Sequence, residues 1–202
     1  MPRQRLRRLP VLALLASALL LSVPPLVLAQ AQPLSTQASS GYQLPSAALQ
    51  AIVIDAPRAP SLSLSPKGDL AVQMGSPSLP SIAVVAQPEL KLGGLRIHPR
   101  TFSDSRFSFG NSLSLKSIAD GSERAITGLP ANLAVASLGW SPDQRYVAFN
   151  HIDSTAGANE LWLVDVERAQ AHRLLGGLNT VLGDGYAWLP DSSGLLVRLQ
   201  PV

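Results

Sequence analysis

Trp140-Ser141-Pro142-Asp143 recurs as Trp188-Leu189-Pro190-Asp191, 48 residues further along the chain. Each copy precedes an apolar run, Tyr146-Val147-Ala148-Phe149 in the first and Leu195-Leu196-Val197 in the second. A separate element keeps the same interval: Leu113-Ser114-Leu115-Lys116-Ser117-Ile118 aligns with Leu161-Trp162-Leu163-Val164-Asp165-Val166, and Gly128 aligns with Gly176. Two independent elements sharing one period in the forties mark four-stranded propeller blades. The fold class expected is therefore all-β, an incomplete β-propeller of about two to three four-stranded blades.

The repeated turn has a physical basis. Proline presets φ at the second turn position, and a Ser or Asp side chain accepts neighbouring backbone N–H groups, so Ser-Pro-Asp closes the hairpin between the first two strands of a blade. A second hairpin turns at Asp120-Gly121 in one unit and at Glu167-Arg168-Ala169-Gln170 in the next, giving four strands per unit. Leu64-Ser65-Pro66-Lys67-Gly68-Asp69-Leu70-Ala71-Val72 reads as an earlier, degenerate copy. Its proline precedes Pro142 by 76 residues, which is not a multiple of 48, so a deletion or different loops are expected in the first unit. Trp140, Trp162 and Trp188 fall inside strands, where aromatic side chains fill the space between stacked blades.

The N-terminus has a different character. Arg3, Arg5, Arg7 and Arg8 precede an uncharged run from Leu9 to Val23, ended by Pro24-Pro25. This is the secretory-signal pattern, and the run falls short of the roughly 20 residues a spanning helix needs. Small residues at Val27, Ala29 and Ala31 allow cleavage before Gln30 or Gln32; the Leu6, Leu9 and Pro10 flanks fit a twin-arginine route poorly. The expected layout is a signal peptide over 1–31, a linker over 32–60 with a short helix opening after Pro45, and a truncated propeller over 61–202. An exported protein, periplasmic or secreted, with no stable membrane span after cleavage, is the expectation.

Cleavage also changes the charge. Four of the 16 Lys and Arg leave with the signal and none of the 13 Asp and Glu, so 12 cations face 13 anions and the mature balance is −1. No basic cluster remains to track phosphates, which disfavours nucleic acid as a partner. The chain has no cysteine, which excludes disulfides, thiolate metal sites and thiol catalysis.

Leu79-Pro80-Ser81-Ile82-Ala83 and Pro88-Glu89-Leu90-Lys91-Leu92-Gly93-Gly94-Leu95-Arg96-Ile97-His98-Pro99 resemble the N-terminal region of chloroplast-type glutamyl endopeptidases and their bacterial relatives. Ala59 to Pro66 looks like the same family's entry into its first blade. These are serine peptidases of the prolyl oligopeptidase clan, in which a propeller precedes an α/β-hydrolase domain. The resemblance covers the chain from about Tyr42 onward. The Trp-Ser-Pro-Asp repeats are less specific, since TolB-like envelope propellers carry them too. Members of the family often have Asp where His98 stands.

The family's nucleophile sits in a Gly-x-Ser-x-Gly elbow, and no such sequence occurs in the 202 residues. His98, His151 and His172 are therefore expected to be surface or loop histidines, since none is paired with an activated serine. Asp153 lies two residues beyond His151, but two ligands do not make a metal site. Asp184 and Gly185 read as turn residues. Arg96 and Arg100 would attract acidic peptides if they faced a propeller opening; solvated loop arginines are the expectation. No catalytic, cofactor-binding or metal residue, and no cofactor, is assigned. The expected function is the N-terminal propeller portion of an exported serine peptidase, gating peptide access to a hydrolase domain absent from this chain and inactive alone. Its substrate peptide would be met only together with that domain, and open blade edges would allow self-association. The alternative is a TolB-like envelope binding module.

Overall fold

The computed structural model describes residues 44–53 and 58–201. The expected signal peptide and most of the expected linker lie outside the described residues. Within the linker, helix α1 (Ala47–Val53) starts two residues after Pro45, where proline's fixed φ favours a first turn. Among the described residues no helix is long and apolar enough to cross a membrane.

The strands form an open arc of blades. In chain order they are β1 (Ser61–Leu64), β2 (Leu70–Gly75), then, after the short helix α2 (Ile82–Val85), β3 (Leu90–Leu92), β4 (Leu95–His98) and β5 (Ser103–Asp104). They continue with β6 (Ser112–Ser117), β7 (Glu123–Ala125), β8 (Val135–Trp140), β9 (Tyr146–Asp153), β10 (Ala158–Asp165), β11 (Gln170–Gly176), β12 (Tyr186–Trp188) and β13 (Leu195–Val197). The first blade is the antiparallel sheet β1-β2-β6-β7, the second is β8-β9-β10-β11, and β12-β13 open a third. The fold is an all-β, incomplete propeller.

The irregular 76-residue interval has its cause in the first blade. It is no deletion but a different connection: residues 76–111, with α2 and the separate sheet β3-β4-β5, are inserted between the second and third strands. Beyond the insertion Leu113 pairs with Met74 and Leu115 with Val72, so the blade resumes its normal register.

The second blade is covered on both faces, which explains its continuous apolar reading. Strand β9 alternates across the pleat: Val147 and Phe149 enter a cluster with Val72, Leu115 and Val135, whereas Ala148 joins Leu161 and Leu178 on the other face. Trp140 and Trp162 pack against the first cluster and Trp188 against the second. The tryptophans thus serve the inter-blade core.

Polar contacts repeat with the blades. Gly68, Gln144 and Ser192 occupy the same position of the Ser/Leu-Pro turn and all have positive φ, at 76°, 69° and 61°. The side chain at this position reaches back to the preceding turn: Gln144 Oε1 accepts from the Lys67 amide at 3.1 Å, and Ser192 Oγ accepts from the Asp143 amide at 3.0 Å. Indole groups make a parallel set of bonds, from Trp140 to the Ser63 carbonyl and from Trp188 to the Gly139 carbonyl, both at 3.1 Å. Each blade is thereby fixed in angle to its predecessor by the same two devices.

Candidate functional site: the insertion and its groove

The insertion is the main departure from the repeat, and its neck is tight. The Asn111 amide donates to the Gly75 carbonyl at 2.8 Å, and Gly110 exchanges two backbone bonds with Val135. A Cβ on Gly110 would run into the Met74 side chain, which would have to shift to make room for it.

From this neck the insertion reaches over the second and third blades. Arg100 donates to the carbonyls of Thr155 and Ala156, at 3.3 and 2.8 Å, in the turn between β9 and β10. Asn159 Nδ2 donates to the Thr101 carbonyl at 3.0 Å, the Thr180 amide to the Phe102 carbonyl at 2.8 Å, and Gln200 Nε2 to the Thr101 carbonyl at 3.2 Å. Arg100 is an exposed loop arginine, as expected, and its two bonds also tie the insertion to the second blade. Arg96 is exposed but paired with Glu89 at 2.9 Å.

Glu89 collects the charges of the inserted sheet. Desolvation pushes its carboxyl up, but the Ser105 hydroxyl and the cations of Arg96, Arg106 and Lys91 outweigh it and hold the carboxyl below its ordinary value. Ser105 Oγ donates to Glu89 Oε2 at 3.1 Å. The cluster sets one carboxylate against three cations and links the start of β3 to β4.

Two of the three histidines are buried, contrary to the surface reading. His98 is 2% exposed, and its Nδ1 accepts the amides of Arg100 and Thr101 at 3.3 and 3.2 Å. The ring proton then lies on Nε2, 3.4 Å from Gln87 Oε1. Burial, with a smaller contribution from the Arg100 charge, lowers its pKa. A neutral imidazole here ties down a turn, the task a side-chain oxygen performs in an Asx turn. His151 lies inside β9, where Nδ1 accepts the Ala134 amide at 3.2 Å and the ring stands edge-on to Trp162. Its pKa is lowered by burial, against the opposing charges of Glu160 and Asp153. His172 is exposed on β11.

The remaining candidates are turn residues. Asp153 Oδ1 accepts the amides of Thr155 and Ala156, both at 2.9 Å. The Asp184 carbonyl accepts from Asn150, and Gly185 has φ 77°. Among the described residues no group of three or more His, Asp or Glu is placed to hold a metal ion.

What the insertion does offer is a groove. Pro77, Leu79, Val84, Val85, Phe107 and Phe109 line an open apolar volume of about 380 Å³, with Arg58 and Arg106 also at its wall. Phe107 and Phe109 form a tilted pair with ring centroids 5.8 Å apart. Through Val84, Phe107 and Phe109 the groove continues into a second depression, of about 350 Å³, beside Ile152 to Thr155. Such a surface suits an apolar segment. The groove is not marked as a site in the sequence; the alternation Arg106-Phe107-Ser108-Phe109, outside the blade repeat, is the signal for its aromatic wall.

No family model matches the chain. A protein of Oryza sativa subsp. japonica described as a probable chloroplastic glutamyl endopeptidase is 34% identical over 179 residues, 83% of this chain. Its counterpart in Arabidopsis thaliana, described in the same words, is 34% identical over 172 residues, 80% of this chain. The chain is a relative of the glutamyl endopeptidases. This glutamyl endopeptidase relative spans about a fifth of the length of the curated proteins it matches, 19% and 18% respectively. Solved structures similar to it include the β-propeller domain of the Trilobed protease from Pyrococcus furiosus, with TM-score 0.41 and 15% identity, covering 70% of this chain and 34% of that one. Another is an acylaminoacyl peptidase in complex with Z-Gly-Gly-Phe-chloromethyl ketone, with TM-score 0.40 and 15% identity, covering 68% and 17%. The arc of this glutamyl endopeptidase relative is a peptidase-associated β-propeller.

Proposed function

We propose that this chain is the propeller portion of an exported glutamyl endopeptidase-like serine peptidase, controlling which peptides reach the hydrolase domain of that architecture. The observation that carries the reading is the 34% identity over 179 residues to proteins described as glutamyl endopeptidases. In isolation the chain self-associates through its uncovered blade faces.

The experiment is a transplant. The matching segment of the rice relative is replaced by this chain from Gln32 onward, and cleavage of a short glutamyl peptide is compared with that of a folded glutamate-rich protein. The reading predicts cleavage of the short peptide and discrimination against the folded protein by at least about tenfold. A folded chimera that cleaves both equally contradicts gating. Export is tested separately by mass spectrometry of the mature chain, which should begin at Gln30 or Gln32; an intact Met1 or Pro2 terminus in the envelope fraction contradicts it.

A further inference from the structure

Helix α1 and the groove are two apolar surfaces of one chain that the structure leaves apart. From Leu44 to Val53 only Ser46 and Gln50 carry polar side chains. Leu49, Ile52 and Val53 stand at i, i+3 and i+4, the spacing of a single helical stripe, yet none of the side chains of α1 is buried. Leu49 is 54% exposed, Ile52 69% and Val53 58%. Seven residues are too few to hold a helix in water without a packing surface.

The nearest apolar groove along the chain begins five residues later. Arg58 lines it, together with Leu79, Val84, Val85, Phe107 and Phe109. Five residue steps from Val53 to Arg58 span at most about 18 Å, so the tether keeps the stripe within reach of the groove and at an effective concentration on the order of millimolar. Leu79 and Val85 in its wall are themselves 55% and 51% exposed.

We propose that α1 docks in this groove as an N-terminal strap, with Leu49, Ile52 and Val53 set against Val84, Val85, Phe107 and Phe109. This is recognition of a helix in a groove within one chain. The helix carries no charge, so Arg58 and Arg106 stay at the rim. Docking orders α1, covers the apolar wall and makes any other apolar ligand compete with a tethered occupant.

The mature chain provides the test, because it has no cysteine to interfere. Amide hydrogen exchange over residues 47–53 is measured at several protein concentrations, and the pair Ile52→Cys with Val85→Cys is oxidised alongside Ile52→Cys with Leu196→Cys, a site on β13. Docking predicts exchange slowed at least about tenfold at every concentration, loss of that protection in L49S/I52S with the propeller's thermal transition unchanged, and a disulfide between positions 52 and 85 only. Exchange at the rate of a free peptide overturns the proposal, as does protection that appears only on raising the concentration, or equal crosslinking of both pairs.

Discussion

The indole N–H of Trp140 donates to the Ser63 carbonyl at 3.1 Å, and Trp188 makes the same bond to Gly139 one period later. Ser63 and Gly139 are separated by 76 residues, as are Gly68 and Gln144 of the repeated turn. The bond is therefore a property of the blade, reproduced wherever one blade follows another. In the first blade Leu64 and Gly68 occupy the positions of Trp140 and Gln144, and neither has a polar group with which to reach back.

Replacing Trp140 with Phe keeps an aromatic ring but removes the donor and leaves the Ser63 carbonyl without it. A loss of about 1–2 kcal/mol follows from the ordinary cost of such a bond. It should be read as a lower urea midpoint with an unchanged slope. An unchanged midpoint would show that the blades are held by apolar packing alone.

Gly128 and Gly68 separate two roles of glycine. Both have φ near 75°, but a Cβ on Gly128 would meet the Ala171 carbonyl oxygen at 2.4 Å, whereas nothing lies within 4 Å of one on Gly68. G68A should cost about 1 kcal/mol, from the left-handed backbone alone. G128A adds a clash with backbone where the parallel bridge between Thr127 and Gln170 joins the first two blades, and should cost roughly 3 kcal/mol or more. Equal thermal shifts in the two variants would contradict this difference.

Acid should destabilise the fold in two steps. His98 and His151 are held below the ordinary 6.5, principally by burial, so the unfolded chain takes up protons first as pH falls. Their contribution is fully present above about 6.5, declines below it, and stops changing once the folded pKa values are passed. The second step comes from carboxylates: Asp120 is held down to about 2, chiefly by the Ser117 hydroxyl. Asp69 is lowered by Ser65 and then Gln144, and Asp143 by Ser141. That contribution is present above about 4 and is lost as pH falls toward 2. Urea midpoints from pH 8 to 3 test the profile, and H98N, with an acceptor that does not titrate, should shrink the first step. A flat midpoint between pH 7 and 5 contradicts the histidine assignment.

The blade repeat was legible because a buried pleat and a proline turn each demand particular residue types at fixed spacing. Trp140 and Trp188 therefore carried both the period and the role. The insertion was not legible as such. Its strands β3 and β4 have alternation and turn glycines of their own, so nothing in their chemistry says they lie outside a blade; only the pairing of Val72 with Leu115 does. The residues that carried the family resemblance, Pro88 to Pro99, fall inside this insertion. His98 and His151 were misread because polarity alone suggests exposure. A neutral imidazole that accepts a backbone amide can be buried at little cost, and no sequence pattern marks one.

Self-association is expected of the isolated chain. Leu62 and Leu64 on β1 are 53% and 59% exposed, and Leu196 on β13 is 70% exposed, whereas the second blade is covered on both faces. Size-exclusion chromatography should show species larger than a monomer, and L62S/L64S/L196S should shift them to monomer. A monodisperse unmodified monomer would show that these faces do not associate.

The proposal that this chain shapes access, with bond cleavage left to a hydrolase domain, is open to a simple activity measurement. Turnover of a fluorogenic glutamyl peptide by the purified chain from Gln32 onward is measured, with fluorophosphonate labelling of the same sample. No turnover above buffer and no labelled band at the mass of the chain are expected. Stoichiometric labelling accompanied by turnover would place an activated serine in the described arc and contradict it.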